Sequence, residues 1–378
     1  MSALGYNPII IGVSFLVMIM AQVALLVLYG LLGDRYGYKE VLLIVEALFT
    51  AAATLLALTG NLNLIIFAAS LGGFGGQGGG GLRGAFGPGS TALVGRLFAD
   101  RNERIKRIGR LTFVGGIASI AGTAMLALHA SLDMPLGVIG AFRALFGLSA
   151  AISTCSFIAL LYVREPKFVK HGSILSKSSG KFVTKVSLSN FVSGIGIGLA
   201  IPLLPLWFKY SLGIGPVEIS AIYTASSAVS AFSSLFAHRV SRENNQILIA
   251  ASSRVINGLL LALMVLPVPA LAVAALYVVR GISAGVGVPT RSAVTIGGVG
   301  SGEMGTATSI TAVANRAALG SSSVGGYLLT VMQDLPLEVG GAFQLVGGLL
   351  FYLLLRNESR GKSATLVADE SEVQAGGR

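Results

Sequence analysis

Long apolar runs repeat along almost the whole chain, and they restrict its fold more than any other feature. A helix crosses a bilayer core with about 20 apolar residues. Runs of that kind fall at 8–32, 41–60, 64–95, 111–129, 136–162, 186–208, 217–237, 246–266, 269–290, 305–331 and 338–355, eleven in all. Only 11% of the residues are charged, against about 25% in soluble proteins. No single soluble core absorbs so much apolar sequence. The expected class is all-α, a polytopic membrane protein. Two runs, 64–95 and 305–331, are rich in Gly, Ala and Ser, which let helices approach closely in lipid.

The net charge of +11 would point to nucleic acid in a soluble chain,. Here its distribution says otherwise. With the turn at Arg35 placed in the cytoplasm, the inside loops hold twenty basic residues and the outside face holds Lys209 alone. That asymmetry is a positive-inside signal. It puts the C-terminus in the cytoplasm of a cell-membrane protein. The lone Cys155 allows no disulfide framework, and the three histidines form no metal-ligand spacing,. The first run is too long for the apolar region of a cleavable signal and lacks a basic lead.

The runs repeat. Leu4-Gly5-Tyr6-Asn7-Pro8 leads into one helix and Leu212-Gly213-Ile214-Gly215-Pro216 into another. GGLRGAFGP at 80–88 is echoed by GISAGVGVP at 281–289, and Glu103 by Glu303. The expected organisation is a five-helix bundle over 1–163, a basic linker 164–185, a six-helix bundle 186–356 and a disordered tail 357–378. A helix precedes Leu212 and none precedes Leu4. Either the start lies upstream of Met1 or the chain has eleven helices.

Between the first two runs stands Gly30-Leu31-Leu32-Gly33-Asp34-Arg35-Tyr36-Gly37-Tyr38-Lys39. It resembles the loop motif of the major facilitator superfamily, G-x-L-a-D-R-x-G-r-k, with Tyr38 at a usually basic place. The resemblance covers the chain after a missing first helix. It implies two pseudo-two-fold bundles and a secondary transporter without cofactor. Gly30 permits close packing and Gly37 a tight turn. Asp34 can face a neighbouring helix N-terminus, whose partial positive charge attracts it. Arg35 and Lys39 are expected to pair with Asp34 or Asp100. These six residues make the candidate gate. The second half carries only a decayed copy, 233–240, with Ala237 in the acidic place.

The resemblance also implies which helices line the solute path: here 64–95, 186–208 and 269–290. Polar groups at that depth usually face a bundle interior. The candidates for solute contact are Gln77, Arg83, Ser189, Asn190, Trp207, Tyr277 and Arg280, with Asn315 and Arg316 on 305–331. Arg83 and Arg280 occupy corresponding repeat segments, and a guanidinium fork suits an anionic solute. Arg254 and Glu46, also equivalent in the repeat, are expected to snorkel toward the cytoplasmic face. The stretch from Pro202 to Trp207 looks like the family's seventh helix, and its prolines should kink the helix 186–208 and free backbone carbonyls toward a cavity. Both path arginines are displaced from the family's usual place, which falls on Gly76 and Tyr277. No Asp or Glu lies at depth in the three path helices, so proton coupling finds no support there.

These features favour a monomeric transporter of a small-molecule solute in lipid, with no nucleic-acid partner. Short loops lean toward an exporter; arginine without a path acid leans toward uptake of a small anionic metabolite. A channel or receptor is the alternative of another class. An enzyme is not expected, because His129, His171 and His238 are scattered,. The glycine run 72–81 lacks the G-K-[ST] ending of a phosphate loop,.

Overall fold

A computed structural model describes residues 8–73, 86–165, 175–300 and 302–375. Among them every regular element is helical. The helices are α1 (Pro8–Tyr36), α2 (Tyr38–Leu58), α3 (Leu62–Gly72), α4 (Phe86–Leu97), α5 (Arg101–Leu161), α6 (Lys177–Ala200), α7 (Leu204–Leu212), α8 (Pro216–Val240), α9 (Gln246–Leu263), α10 (Ala270–Gly297), α11 (Met304–Leu319), α12 (Ser322–Val331) and α13 (Leu335–Ala375). Seven helical stretches among the described residues are long and apolar enough to cross a bilayer. Large apolar side chains such as Leu58 and Leu271 remain exposed, as expected of helices whose outer faces meet lipid rather than water.

The remaining expected runs map onto the helices with physical reasons for each difference. The run 8–32 lies on α1. The run 64–95 is divided between α3 and α4, with 74–85 outside the described residues. The runs 111–129 and 136–162 share α5, broken at Pro135 and at Gly137, whose φ of 67° and ψ of 162° are not helical. Proline removes a backbone donor there and glycine tolerates the positive φ. The run 305–331 breaks after Leu319 into α11 and α12.

Two boundaries move. Residues 177–185, expected in the linker, form the first turns of α6. The polar stretch expected to be disordered after residue 356 continues α13 to Ala375. At Pro202 and Pro205, where a kink is expected, α6 ends at Ala200, a 3-10 turn spans Ile201–Leu203, and α7 follows.

The chain condenses into two compact units that each borrow a segment from the far part of the sequence. Unit 1 holds 1–99, 110–176 and 300–313; unit 2 holds 100–109, 177–299 and 314–378. Helix α11 therefore starts in unit 1 and ends in unit 2. In unit 1, Leu26, Tyr29 and Val41 form a core that Ala312 and Val313 cover, and Ala52, Leu56 and Ala68 pack with Phe146. In unit 2, α8 packs on α10, α10 on α9, and α13 on both α9 and α6. Its core joins Leu204, Trp207, Phe208, Leu261, Met264 and Tyr277.

Candidate functional site: a capped loop motif and an arginine beneath a groove

In unit 1 the loop motif makes a turn of one residue. Gly37 separates α1 from α2 at φ 121°, a left-handed value that disfavours any residue with a Cβ. That turn sets Asp34, at the end of α1, against the start of α11. Its carboxylate accepts hydrogen bonds from Gly305 N at 2.9 Å and Thr306 N at 2.6 Å. The Tyr38 hydroxyl donates to the same carboxylate and accepts from Gly305 N at 2.8 Å. A buried anion thus satisfies donors that a helix start leaves open, in the favourable direction of the helix dipole. Gly30 makes this approach possible. A Cβ at residue 30 would lie 2.4 Å from Ser309 Oγ and 2.7 Å from Gly305 O.

A second carboxylate completes this corner. Glu165 accepts from Tyr38 N at 3.2 Å and Lys39 N at 2.8 Å, so it caps α2. It also pairs with Arg96 at 2.7 Å, both side chains being under a tenth exposed. The Arg96 guanidinium sits 4.2 Å from the Tyr38 ring centroid, a cation–π distance. Lys39 donates its ammonium to Leu161 O at 2.9 Å, at the carbonyl end of α5 where a cation is favoured.

Unit 2 holds an open groove of about 420 Å³ at the end of α8 remote from Val240, lined by Pro205, Leu206, Lys209, Ile219, Ser220 and Tyr223. Tyr223 leads inward to Tyr277, ring centroids 5.1 Å apart. Arg280 lies one turn farther along α10, with its guanidinium 5.6 Å from the Tyr277 centroid. The Tyr223 hydroxyl and Arg280 Nε are buried and make no hydrogen bond. Neither residue forms an ion pair with a described acid.

Comparison with known proteins decides the family. The family model described as Major Facilitator Superfamily matches residues 1–324, most of the chain. The chain belongs to the Major Facilitator Superfamily. A comparison with curated proteins returns no match to this sequence. Solved structures with the same fold include the E. coli fucose:proton symporter FucP, at 12% identity and a TM-score of 0.68, covering 92% of this chain and 97% of that one. The proton:xylose symporter XylE follows at 13% and 0.70, covering 91% and 85%. The human organic anion transporter MFSD10 follows at 14% and 0.65, covering 89% and 82%.

Within this superfamily member the other sequence-derived residues fall as follows. Arg35 is exposed and lies over Tyr36, 5.4 Å from its ring centroid. Asp100 accepts from Glu103 N at 2.7 Å and so caps α5. The expected pairing of Arg35 and Lys39 with Asp34 or Asp100 is therefore replaced: two backbone N–H groups and a tyrosine already occupy Asp34. Trp207 is 2% exposed and donates Nε1 to Asp334 at 2.7 Å, which makes it part of the unit 2 core. The Asn315 side chain lies against Gly194 of α6, and Arg316 is half-buried. Gln77 and Arg83 lie outside the described residues.

Two snorkelling expectations are corrected. Glu46 is 5% exposed, and its carboxylate accepts from Ser153 Oγ at 2.6 Å and Ser156 Oγ at 2.8 Å. It borders a cavity of about 30 Å³ shared with Gln22, Tyr29 and Ser70. Arg254 donates to Ser189 Oγ at 2.8 Å and to Asn190 Oδ1. Local hydroxyl and amide partners hold both side chains inside their units. Glu165 and Arg96 were not singled out from sequence, and Tyr38 was noted only as the motif residue at a usually basic place. Their only signal was a lone acid, Glu165, at the head of a basic linker.

Proposed function

We propose that this chain is a secondary transporter that moves a small molecule bearing an anionic group across the cell membrane by alternating access. The observation that carries the reading is Arg280: its Nε is buried without a hydrogen-bond partner, and so is the hydroxyl of Tyr223, which borders the groove. A carboxylate or phosphate group of a solute satisfies both and offsets the cost of a charge held away from water. One of the similar structures is that of the human organic anion transporter MFSD10, in keeping with that chemistry. Of the two directions, short loops favour export, while an arginine without an acid at the path favours uptake of an anionic metabolite. Arg280 supports the second.

The gate in this proposal is the Asp34 cap. α11 begins on Asp34 in unit 1 and passes into unit 2 at Ala314. Releasing the cap frees the α11 start as the bundles 1–163 and 186–356 rock about the solute. The basic-residue asymmetry supports a cytoplasmic side for this gate and for the C-terminus. The protein works as a monomer.

The test uses purified full-length protein in liposomes, with counterflow of labelled carboxylates and organic phosphates and, as neutral controls, labelled sugars. Counterflow of an anion, abolished in Arg280→Ala and partly restored in Arg280→Lys, is expected. Exchange of neutral sugars alone, or anion exchange undiminished in Arg280→Ala, removes the anionic reading. Gradient dissipation without counterflow removes alternating access.

A further inference from the structure

We propose that Arg254 and Arg291 of unit 2 form a second oxyanion site, distinct from Arg280. Arg291 lies eleven residues beyond Arg280 on α10, roughly 16 Å along a helix axis. It folds back to donate from Nη1 to Ser253 Oγ at 2.8 Å, the residue next to Arg254 on α9. Gly287 leaves the room for this: a Cβ there would meet Ser253 Oγ at 2.2 Å and Arg291 Nη1 at 2.5 Å. Ser253 and Arg254 are consecutive on α9, so this bond brings the two like charges into one neighbourhood, where they repel,.

The described partners that hold them are neutral. From α6 come Ser189 and Asn190, from α9 Ser253, and from α13 the Phe351 ring, 5.1 Å from the Arg254 guanidinium carbon. Neither arginine forms an ion pair with a described acid. The two hydroxyls are themselves committed: Ser189 Oγ donates to Gly347 O at 2.7 Å and Ser253 Oγ to Ala250 O at 2.9 Å. Each therefore turns only a lone pair to its guanidinium. These partners orient the positive charges without neutralising them. Arg254 uses one donor on each of two nitrogens and Arg291 one in all, so most of both forks remains open. Two like charges held on packed helices with no described acid paired to them are costly unless an anion joins them,. The fork geometry selects a planar or tetrahedral oxyanion, a carboxylate or phosphate. A lipid headgroup and a soluble phosphate both present that chemistry.

Purified full-length protein in phosphatidylcholine nanodiscs tests this by melting temperature. Sodium phosphate is titrated against sodium chloride at constant ionic strength. A second arm adds a minority of phosphatidylglycerol to the discs and omits phosphate. A saturable rise in melting temperature is expected in at least one arm. Its half-saturation point should weaken about tenfold or more in Arg254→Gln and in Arg291→Gln. It should hold in Arg242→Gln, an exposed control. A rise with phosphate identifies a soluble oxyanion. A rise with phosphatidylglycerol only identifies a lipid headgroup. Without anion, each Gln variant should melt no lower than wild type, because one repelling charge is gone. No saturable rise in either arm of the wild type overturns the proposal, even where a variant does not fold. So does a rise retained in both Gln variants.

Discussion

Two corners of this molecule descend from one repeat and differ in charge rather than in packing. In unit 1, Gly30 brings α1 against the start of α11, and Asp34 caps that start. In unit 2, the decayed copy brings α8 equally close to the start of α5. A Cβ on Gly109 would lie 2.2 Å from Ser234 O, and Ser234 Oγ donates to Gly109 O at 2.9 Å. The acid is missing there: Ala237, fully buried, stands where Asp34 stands in the first copy. The echoed glutamates differ too. Glu303 accepts from the backbone and hydroxyl of Ser176. Glu103 pairs along its own helix with Lys106 at 3.0 Å and Arg107 at 3.2 Å. Close helix contact survives without charge because it needs only small residues. A buried cap needs one particular carboxylate. One corner thus keeps a strong, directional bond, and the other keeps only the close contact.

The sharpest break in that comparison is Asp34→Asn. It removes the anion but keeps the shape, and transport in liposomes should fall more than about tenfold while membrane insertion is kept. Charge-assisted bonds of this kind are worth about 1.5–3 kcal/mol each. Normal transport by a well-expressed Asp34→Asn protein would leave the cap without a gating role.

Next comes Glu165→Gln, which removes the carboxylate charge from the buried Arg96–Glu165 pair. Breaking a buried pair from one side costs about 3–5 kcal/mol, read as a large fall in melting temperature. A loss no bigger than that of a surface variant would show the Arg96–Glu165 pair to be dispensable.

A paired test of packing follows. Gly30→Val and Gly109→Val should each destabilise by about 1–3 kcal/mol, the usual range for overpacking. Similar losses at the two sites would establish that both corners keep the contact. A loss at Gly30 alone would reduce the unit 2 corner to a passive turn.

The smallest effect is expected at Glu103. Its exposed carboxyl is held below the ordinary carboxylate range by its bond with Lys106, then by the Lys106 charge and by Arg107. The sign follows: this stabilisation is present above the ordinary carboxylate pKa and is lost as pH falls through the lowered one. Solvent screens such a pair, so Glu103→Gln should leave the melting temperature unchanged at neutral pH. A clear fall would give Glu103 a role its geometry does not suggest.

The apolar runs, with too few charges to be soluble, determined a bundle of membrane helices, because bilayer thickness and backbone hydrogen bonding leave a chain of this kind no other choice. The motif at 30–39 was legible for a related reason: a one-residue turn demands glycine, and a helix start demands an anion. Tyr277 and Arg280 were readable as polar groups at depth. What sequence left open was which helix start Asp34 would face: Gly305 and Thr306 lie 271 and 272 residues away. It also missed the cap from Glu165, and it sent Glu46 and Arg254 toward water when serines and an asparagine on distant helices were holding them inside. The physical reason is common to all of these. Hydropathy and turn chemistry act between neighbours in the chain, so a sequence displays them directly. Partners for buried polar groups are assigned only when helices pack, and that assignment exists only in three dimensions.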